Sequence, residues 1–175
     1  DITFRPGMWT LNSNMDYRHI VNEIRLTNRS TQTVTIPEGY TIEQIIDTLV
    51  ENGLSSKDEL TSVLQDGEFN YDFLPDDLGN ETNRLEGYLF PDTYEFYVGM
   101  QASSAINKML ENFYYKQTAE MLQKAADMNM SIRDLVNVAS LIEKEAASDE
   151  ERATIASVIY NRIYANMPIG IDAAI

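Results

Sequence analysis

Residues 131–163 read SIRDLVNVASLIEKEAASDEERATIASVIYNRI, and their two helical periods decide the fold of the C-terminal part of the chain. Ser131, with Asp134 three positions on, is a weaker relative of the capping box and opens the first helix. At about 100° per residue, Ile132, Leu135, Val136, Ala139, Ile142 and Ala146 fall within about 60° of Ala139. Ser148-Asp149-Glu150-Glu151 reads as a full capping box opening a second helix. Its apolar positions are Ile155, Val158, Ile159 and Ile163, and it ends before Pro168 and Gly170. Helices joined by so short a turn pack as neighbours, which predicts that the end of the first meets Asn161 and Arg162 or lies close to them.

On the same wheel Glu143 lies at about +40°, inside the apolar arc, whereas Glu145 lies at about −120° and Lys144 at about +140°. The two glutamates are therefore unequal. A carboxyl turned toward an apolar face gives up hydration in its charged form and keeps a proton to higher pH, the state a general acid needs. The same position suits an ion pair with Arg152 or Arg162, because structural pairs are also half-buried. Spacing leaves both readings open. Asn161-Arg162 taken alone reads as a surface or capping pair.

Before this hairpin, Ser103 or Ser104 begins a helix that the periodicity carries to about Met128. Ile106, Met109, Leu110, Phe113, Met121, Leu122 and Ala125 face inward, the methionines as core filler. Leu85–Val98 suggests two short strands or an extended loop, and residues 66–84 a linker pinned by Phe69, Tyr71, Phe73 and Leu74. Thr41 and Gln44 form a capping box for a helix with Ile42, Ile45, Ile46 and Leu49 on one face. A shorter helix runs from Lys57 to Leu64. Thr33–Ile36 alternates as a strand and Pro37-Glu38-Gly39 turns the chain. At the start, Ile2–Phe4 is a short strand that Trp9–Leu11 can pair with, and Asp16 caps a helix carrying Tyr17, Ile20, Val21 and Ile24. The fold class is α+β.

The chain has 175 residues, 43% hydrophobic and 23% charged, which suits one domain or two small ones with a real core. A net charge of −15 argues against a nucleic-acid partner. Residues 37–95 hold fifteen acidic and two basic side chains, most simply a solvated face. The absence of cysteine excludes disulfides, thiolate metal sites and a cysteine nucleophile. One histidine, His19, excludes sites that need two, and it reads as a surface residue. No phosphate-cradling loop, HExxH, GxSxG or EF-hand pattern occurs, nor a carboxylate pair spaced as in a two-acid glycosidase. No apolar run approaches the ~20 residues that cross a bilayer. The abrupt ends at Asp1 and Ile175 suggest a piece of a longer protein.

Three ordered motifs lie between residues 85 and 162: Leu85-Glu86-Gly87-Tyr88-Leu89-Phe90-Pro91-Asp92-Thr93-Tyr94, Ala139-Ser140-Leu141-Ile142-Glu143-Lys144-Glu145, and Glu151-Arg152 followed by Ala156-Ser157-Val158-Ile159-Tyr160-Asn161-Arg162. Together they resemble the endolytic murein transglycosylases, the YceG-like family. Thr33-Val34-Thr35-Ile36-Pro37-Glu38-Gly39-Tyr40-Thr41-Ile42 is similar to the opening of that family's LysM-like subdomain. The resemblance implies an N-terminal β/α unit over 1–32, a LysM-like subdomain and linker over 33–80, and a mainly helical, partly lysozyme-like catalytic region over 81–175.

It further implies endolytic cleavage of peptidoglycan glycan strands at the bond between N-acetylmuramic acid and N-acetylglucosamine, with a 1,6-anhydro product and strand termination. Glu143 aligns with the family's catalytic glutamate, acting as acid and then base. Glu86, Tyr88, Asp92, Tyr94, Asn161 and Arg162 are the substrate-binding candidates, since sugar rings stack on aromatic faces. Core packing is the other reading for the tyrosines, as turn shaping is for Glu86 and Asp92. No metal or organic cofactor is expected. The implied setting is a single-pass membrane protein with this region outside the cytoplasm, its partners being peptidoglycan glycan strands and peptidoglycan synthases or division proteins. A glycan-binding recruitment module and a lysozyme-like hydrolase are the alternatives. The family continues beyond Ile169-Gly170-Ile171-Asp172 with proline and threonine, where this chain has Ala173-Ala174. A C-terminal truncation with reduced or absent activity is therefore expected.

Overall fold

The computed structural model describes residues 31–97 and 99–170, with 17, 18, 20 and 21. Those four are helical, as read; the strand at Ile2–Phe4, its pairing segment and His19 lie outside the described residues. The elements in order are β1 (Thr31–Thr35), α1 (Ile42–Glu51), α2 (Lys57–Asp66), β2 (Thr93–Tyr97), α3 (Ala102–Lys116), α4 (Ala119–Asp127), α5 (Ile132–Glu145) and α6 (Asp149–Tyr164). Among the described residues the architecture is α+β, mostly helical, with one two-stranded sheet.

β1 runs antiparallel to β2, with Val34 opposite Tyr94 and Thr35 opposite Thr93. Alternation sends Val34, Tyr94 and Phe96 inward. Outside, the Thr35 and Thr93 hydroxyls hydrogen-bond at 2.9 Å. Only the second half of 85–98 is a strand, because its partner is β1 rather than a neighbouring hairpin arm. α1 buries Ile42, Ile45, Ile46 and Leu49, as its spacing predicts, behind the Thr41–Gln44 capping box. α2 buries Leu60 and Leu64 behind a second box made by Ser56 and Glu59.

One core joins the sheet, α1, α2 and α3, running from Val34 to Leu110. Each fully buried Leu or Ile there contributes roughly 1.5–3 kcal/mol. The acidic segment between α2 and β2 is anchored by aromatics: Phe73 packs 4.8 Å from Phe113 and 5.1 Å from Tyr71. Arg84 ties it further, donating to the carbonyls of Leu64, Gly67 and Gly79.

Four expectations change. The long helix to Met128 is two helices, since Thr118 accepts the Met121 N–H at 3.1 Å and starts α4 afresh. Met121 and Leu122 are thereby exposed, and only Ala125 of α4 is buried. On α5 the one buried residue is Val138 and Ala139 is exposed, while Ile132, Leu135, Val136, Ile142 and Ala146 of the expected face are half-buried. Ser148 makes no side-chain cap; Glu151 instead accepts the Ala147 N–H at 3.1 Å. On α6 only Ile159 is buried, with Val158 and Ile163 exposed.

Candidate active site

α5 begins with a complete reciprocal capping box: Asp134 N–H donates to the Ser131 hydroxyl at 3.1 Å, and Ser131 N–H to the Asp134 carboxylate at 2.8 Å. Two turns of the chain are closed against this helix. At Gly87 the backbone has φ +81°, and a Cβ there would lie 2.4 Å from Val136 Cγ1, so α5 rests directly on the glycine. At Gly39, φ +73°, a Cβ would lie 3.6 Å from Glu143 Cγ. Glu143 thus extends from the last turn of α5 along the β1–α1 turn.

The carboxylate of Glu143 meets Arg152, from the first turn of α6, with Nη2 at 3.0 Å from Oε2. The same nitrogen lies 3.5 Å from Glu38 Oε2, and Arg152 Nε lies 3.4 Å from Asp149 Oδ1. One guanidinium therefore serves three carboxylates. The Glu143 side chain is 33% exposed, whereas Glu145 and Lys144 are exposed, so the inequality of the two glutamates holds. Its neighbour, however, is a cation rather than an apolar wall: the ion-pair reading is realised, with Arg152. Arg162 instead donates to the Ile169 carbonyl.

Asn161 and Arg162 do not join this cluster. A short turn makes α5 and α6 antiparallel, so the end of α5 faces the start of α6, and Asn161 lies nine residues on, about 14 Å along the axis. Asn161 is exposed and Arg162 half-buried.

The remaining candidates gather around β2. Glu86 is exposed and accepts the Ile42 N–H at 3.1 Å, placing a carboxylate at the positive end of α1. Tyr88 is 4% exposed, with its ring against Phe73 and Phe113 and its hydroxyl beside Arg133; burial pushes that hydroxyl's pKa up. Tyr94 is equally buried, donates to the Phe90 carbonyl and accepts from Asn112 at 3.1 Å; burial pushes its hydroxyl up to about 12. Neither ring presents a face for a sugar to stack on: both take the core reading. Asp92 accepts from Asn112 at 3.0 Å and from its neighbour Thr93 N–H at 2.8 Å, and pairs with Lys116 at 3.3 Å. The Asn112 bond first, then these partners, hold its carboxyl below the usual range. Asp92, Glu95, Lys108, Glu111 and Tyr115 border a shallow groove of about 400 Å³.

The sequence marks Pro37-Glu38-Gly39 as a turn within the LysM-like opening, not as part of the catalytic region. Nothing in local spacing says which distant helix a turn will touch, so Glu38 was not a candidate.

The sequence profile of the YceG-like family matches residues 1–175. The chain belongs to the YceG-like family. Among YceG-like relatives, the endolytic murein transglycosylase of Streptococcus pneumoniae serotype 2 (strain D39 / NCTC 7466) is 32% identical across 98% of this chain and 35% of its own length. That of Bacillus subtilis (strain 168) is 31% identical across 98% of this chain and 51% of its own. A YceG-like protein of Listeria monocytogenes, solved by crystallography at 2.6 Å, superposes with a TM-score of 0.69 at 29% identity, covering 93% of this chain and 57% of that one. The chain thus spans about a third to a half of the length of the curated relatives it matches. The resemblance carried by the three motifs is borne out. Among the described residues, no helix is long and apolar enough to cross a membrane.

Proposed function

We propose that the protein to which this chain belongs is an endolytic lytic transglycosylase of peptidoglycan, with Glu143 as its acid and base. The observation that carries this is the placement of Glu143: of the Glu143-Lys144-Glu145 triplet it alone is partly withdrawn from solvent, wedged between the α5–α6 hairpin and the β1–α1 turn. Membership of the YceG-like family and the relatives' name support the substrate class.

In this reading protonated Glu143 donates to the glycosidic oxygen between N-acetylmuramic acid and N-acetylglucosamine, and that bond breaks. The carboxylate so formed takes the proton of the C6 hydroxyl of the same muramic acid while O6 bonds to C1. The ring closes as a 1,6-anhydro sugar, Glu143 is again protonated, and no water is consumed. A hydrolase would need a second carboxylate or a placed water instead. Glu86, Asp92, Asn161 and Arg162 are the substrate-binding candidates that keep polar groups at the surface; Tyr88 and Tyr94 would act from beneath. We read the front of the chain as the LysM-like subdomain, and the region as extracytoplasmic on a membrane-anchored protein.

The Arg152 bridge favours a second reading, in which Glu143 is structural and the protein only binds glycan. Digestion of purified murein by the full-length protein and by Glu143→Gln, followed by mass spectrometry, separates them. Anhydro-ended fragments from the wild type and none from Glu143→Gln, with Glu145→Gln still active, is the expected result. Reducing ends would indicate a hydrolase, and binding without cleavage the recruitment module.

A further inference from the structure

Arg152 stands where two parts of the fold meet. Its Nη2 is 3.0 Å from Glu143 Oε2 on α5 and 3.5 Å from Glu38 Oε2 on the β1–α1 turn, so a single nitrogen is shared between two acids. We propose that Glu38 is a positioning residue for Glu143, receiving Arg152 when the Glu143 carboxyl takes up its proton. The inference rests on Glu143 being the acid of the reaction.

Among the described residues, the charged groups around Glu143 are few. Glu38 faces it from the turn, and Arg152 from α6, with Asp149 behind Arg152 at 3.4 Å from Nε and largely exposed. On α5 itself, Lys144 and Glu145 point to solvent. A nearby cation favours an ionised carboxyl, and a nearby anion opposes it. Arg152 and Glu38 thus bear on Glu143 in opposite senses, Glu38 by its own charge and by competing for the one guanidinium. The guanidinium's planar fork of donors pairs with one carboxylate as readily as with the other. When Glu143 is protonated, Glu38 already lies within ion-pair range of Nη2, so the cation is not left without a partner.

The turn is built to stay in place. Gly39 occupies a positive φ beside Glu143, the Ile36 N–H donates to the Asp92 carbonyl at 2.9 Å just before it, and the Thr41 capping box starts α1 just after. Removing the charge of Glu38 leaves Arg152 to Glu143 and to exposed Asp149. Both effects of the removal have one sign: Glu143 holds its proton only at lower pH.

The test compares the full-length protein with Glu38→Gln and Glu38→Asp by two readouts. The first is the pH profile of anhydro-product formation from murein. In Glu38→Gln the alkaline limb moves down by about half to one unit, a loss of about three- to tenfold on that limb, with the acid plateau unchanged. Glu38→Asp restores most of the wild-type profile. The second is the carbon-13 NMR titration of the Glu143 carboxyl, which needs no turnover, and its midpoint falls by the same amount in Glu38→Gln. Coincident midpoints, or a rate reduced equally at every pH, would overturn the proposal. If the wild type makes no anhydro ends, the functional reading fails by itself, and the NMR midpoints alone then decide whether Glu38 acts on Glu143.

Discussion

Gly87 shows what a single position contributes here. Its positive φ suits glycine, and α5 closes to within 2.4 Å of where a side chain would begin. Gly87→Ala must both strain the backbone and displace Val136, so a loss of about 2–4 kcal/mol is expected in a urea melt. Adding Val136→Ala recovers part of that loss, since it relieves the collision and not the dihedral strain; an unchanged midpoint for Gly87→Ala would show that α5 simply moves away. This constraint explains the glycine in Leu85-Glu86-Gly87-Tyr88 without any ligand. The sequence marks the segment but does not say why, because its partner lies on a helix far along the chain. The same limit applies at Glu143. Helical spacing separates it from Glu145 correctly, yet the wheel cannot see Arg152 or Glu38, which arrive from α6 and from a turn. What a wheel reports is direction; what surrounds a side chain is decided by elements it does not contain.

Among elements, those that own both their caps and their apolar stripe were legible. α1 begins at the Thr41 hydroxyl read for it and α2 at Lys57, and α1 buries the four residues its spacing selects. Where the stripe was mistaken for continuous, as across Gln117 and Thr118, a local hydroxyl broke the helix that periodicity alone would extend. β2 could not be placed from its neighbourhood because its pairing is with β1. That strand also carries a pH dependence. Burial holds the Tyr94 hydroxyl un-ionised to about 12, above an ordinary tyrosine near 10. A raised value of this kind contributes stability that is intact below about pH 10 and is lost as pH climbs toward 12, because the unfolded chain ionises first. Stability measured by urea denaturation is therefore expected to fall across that window. In Tyr94→Phe the fall is shallower, although the variant starts lower for want of the bonds to the Phe90 carbonyl and Asn112.

For the molecule as a whole, burial is uneven. The buried core ends at Leu110, and α5 adds to it only the half-buried Ile132 and Val136; α5 and α6 otherwise bury one residue each, Val138 and Ile159. The hairpin is held to the front by Gly87 against Val136, by the Arg133–Asp77 pair and by Arg152 reaching Glu38. Exposed pairs such as these contribute little each. Amides of α1, α2 and α3 are expected to exchange with deuterium only on global unfolding, and those of α5 and α6 orders of magnitude sooner. Equal protection throughout would mean that the hairpin is locked to the core more tightly than its burial implies. Composition announced a core of reasonable size; it could not announce that most of that core lies in front of the acid rather than around it.

The sheet has one more implication, for synthesis. Thr35 and its partner Thr93 are 58 residues apart, so at about 5–20 residues per second the first strand leaves the ribosome about 3–12 s before the second is made. During that wait its edge is open to any passing strand. Its composition, Thr-Gln-Thr-Val-Thr, gives a stranger little grease to hold, and so the nascent chain can afford the delay.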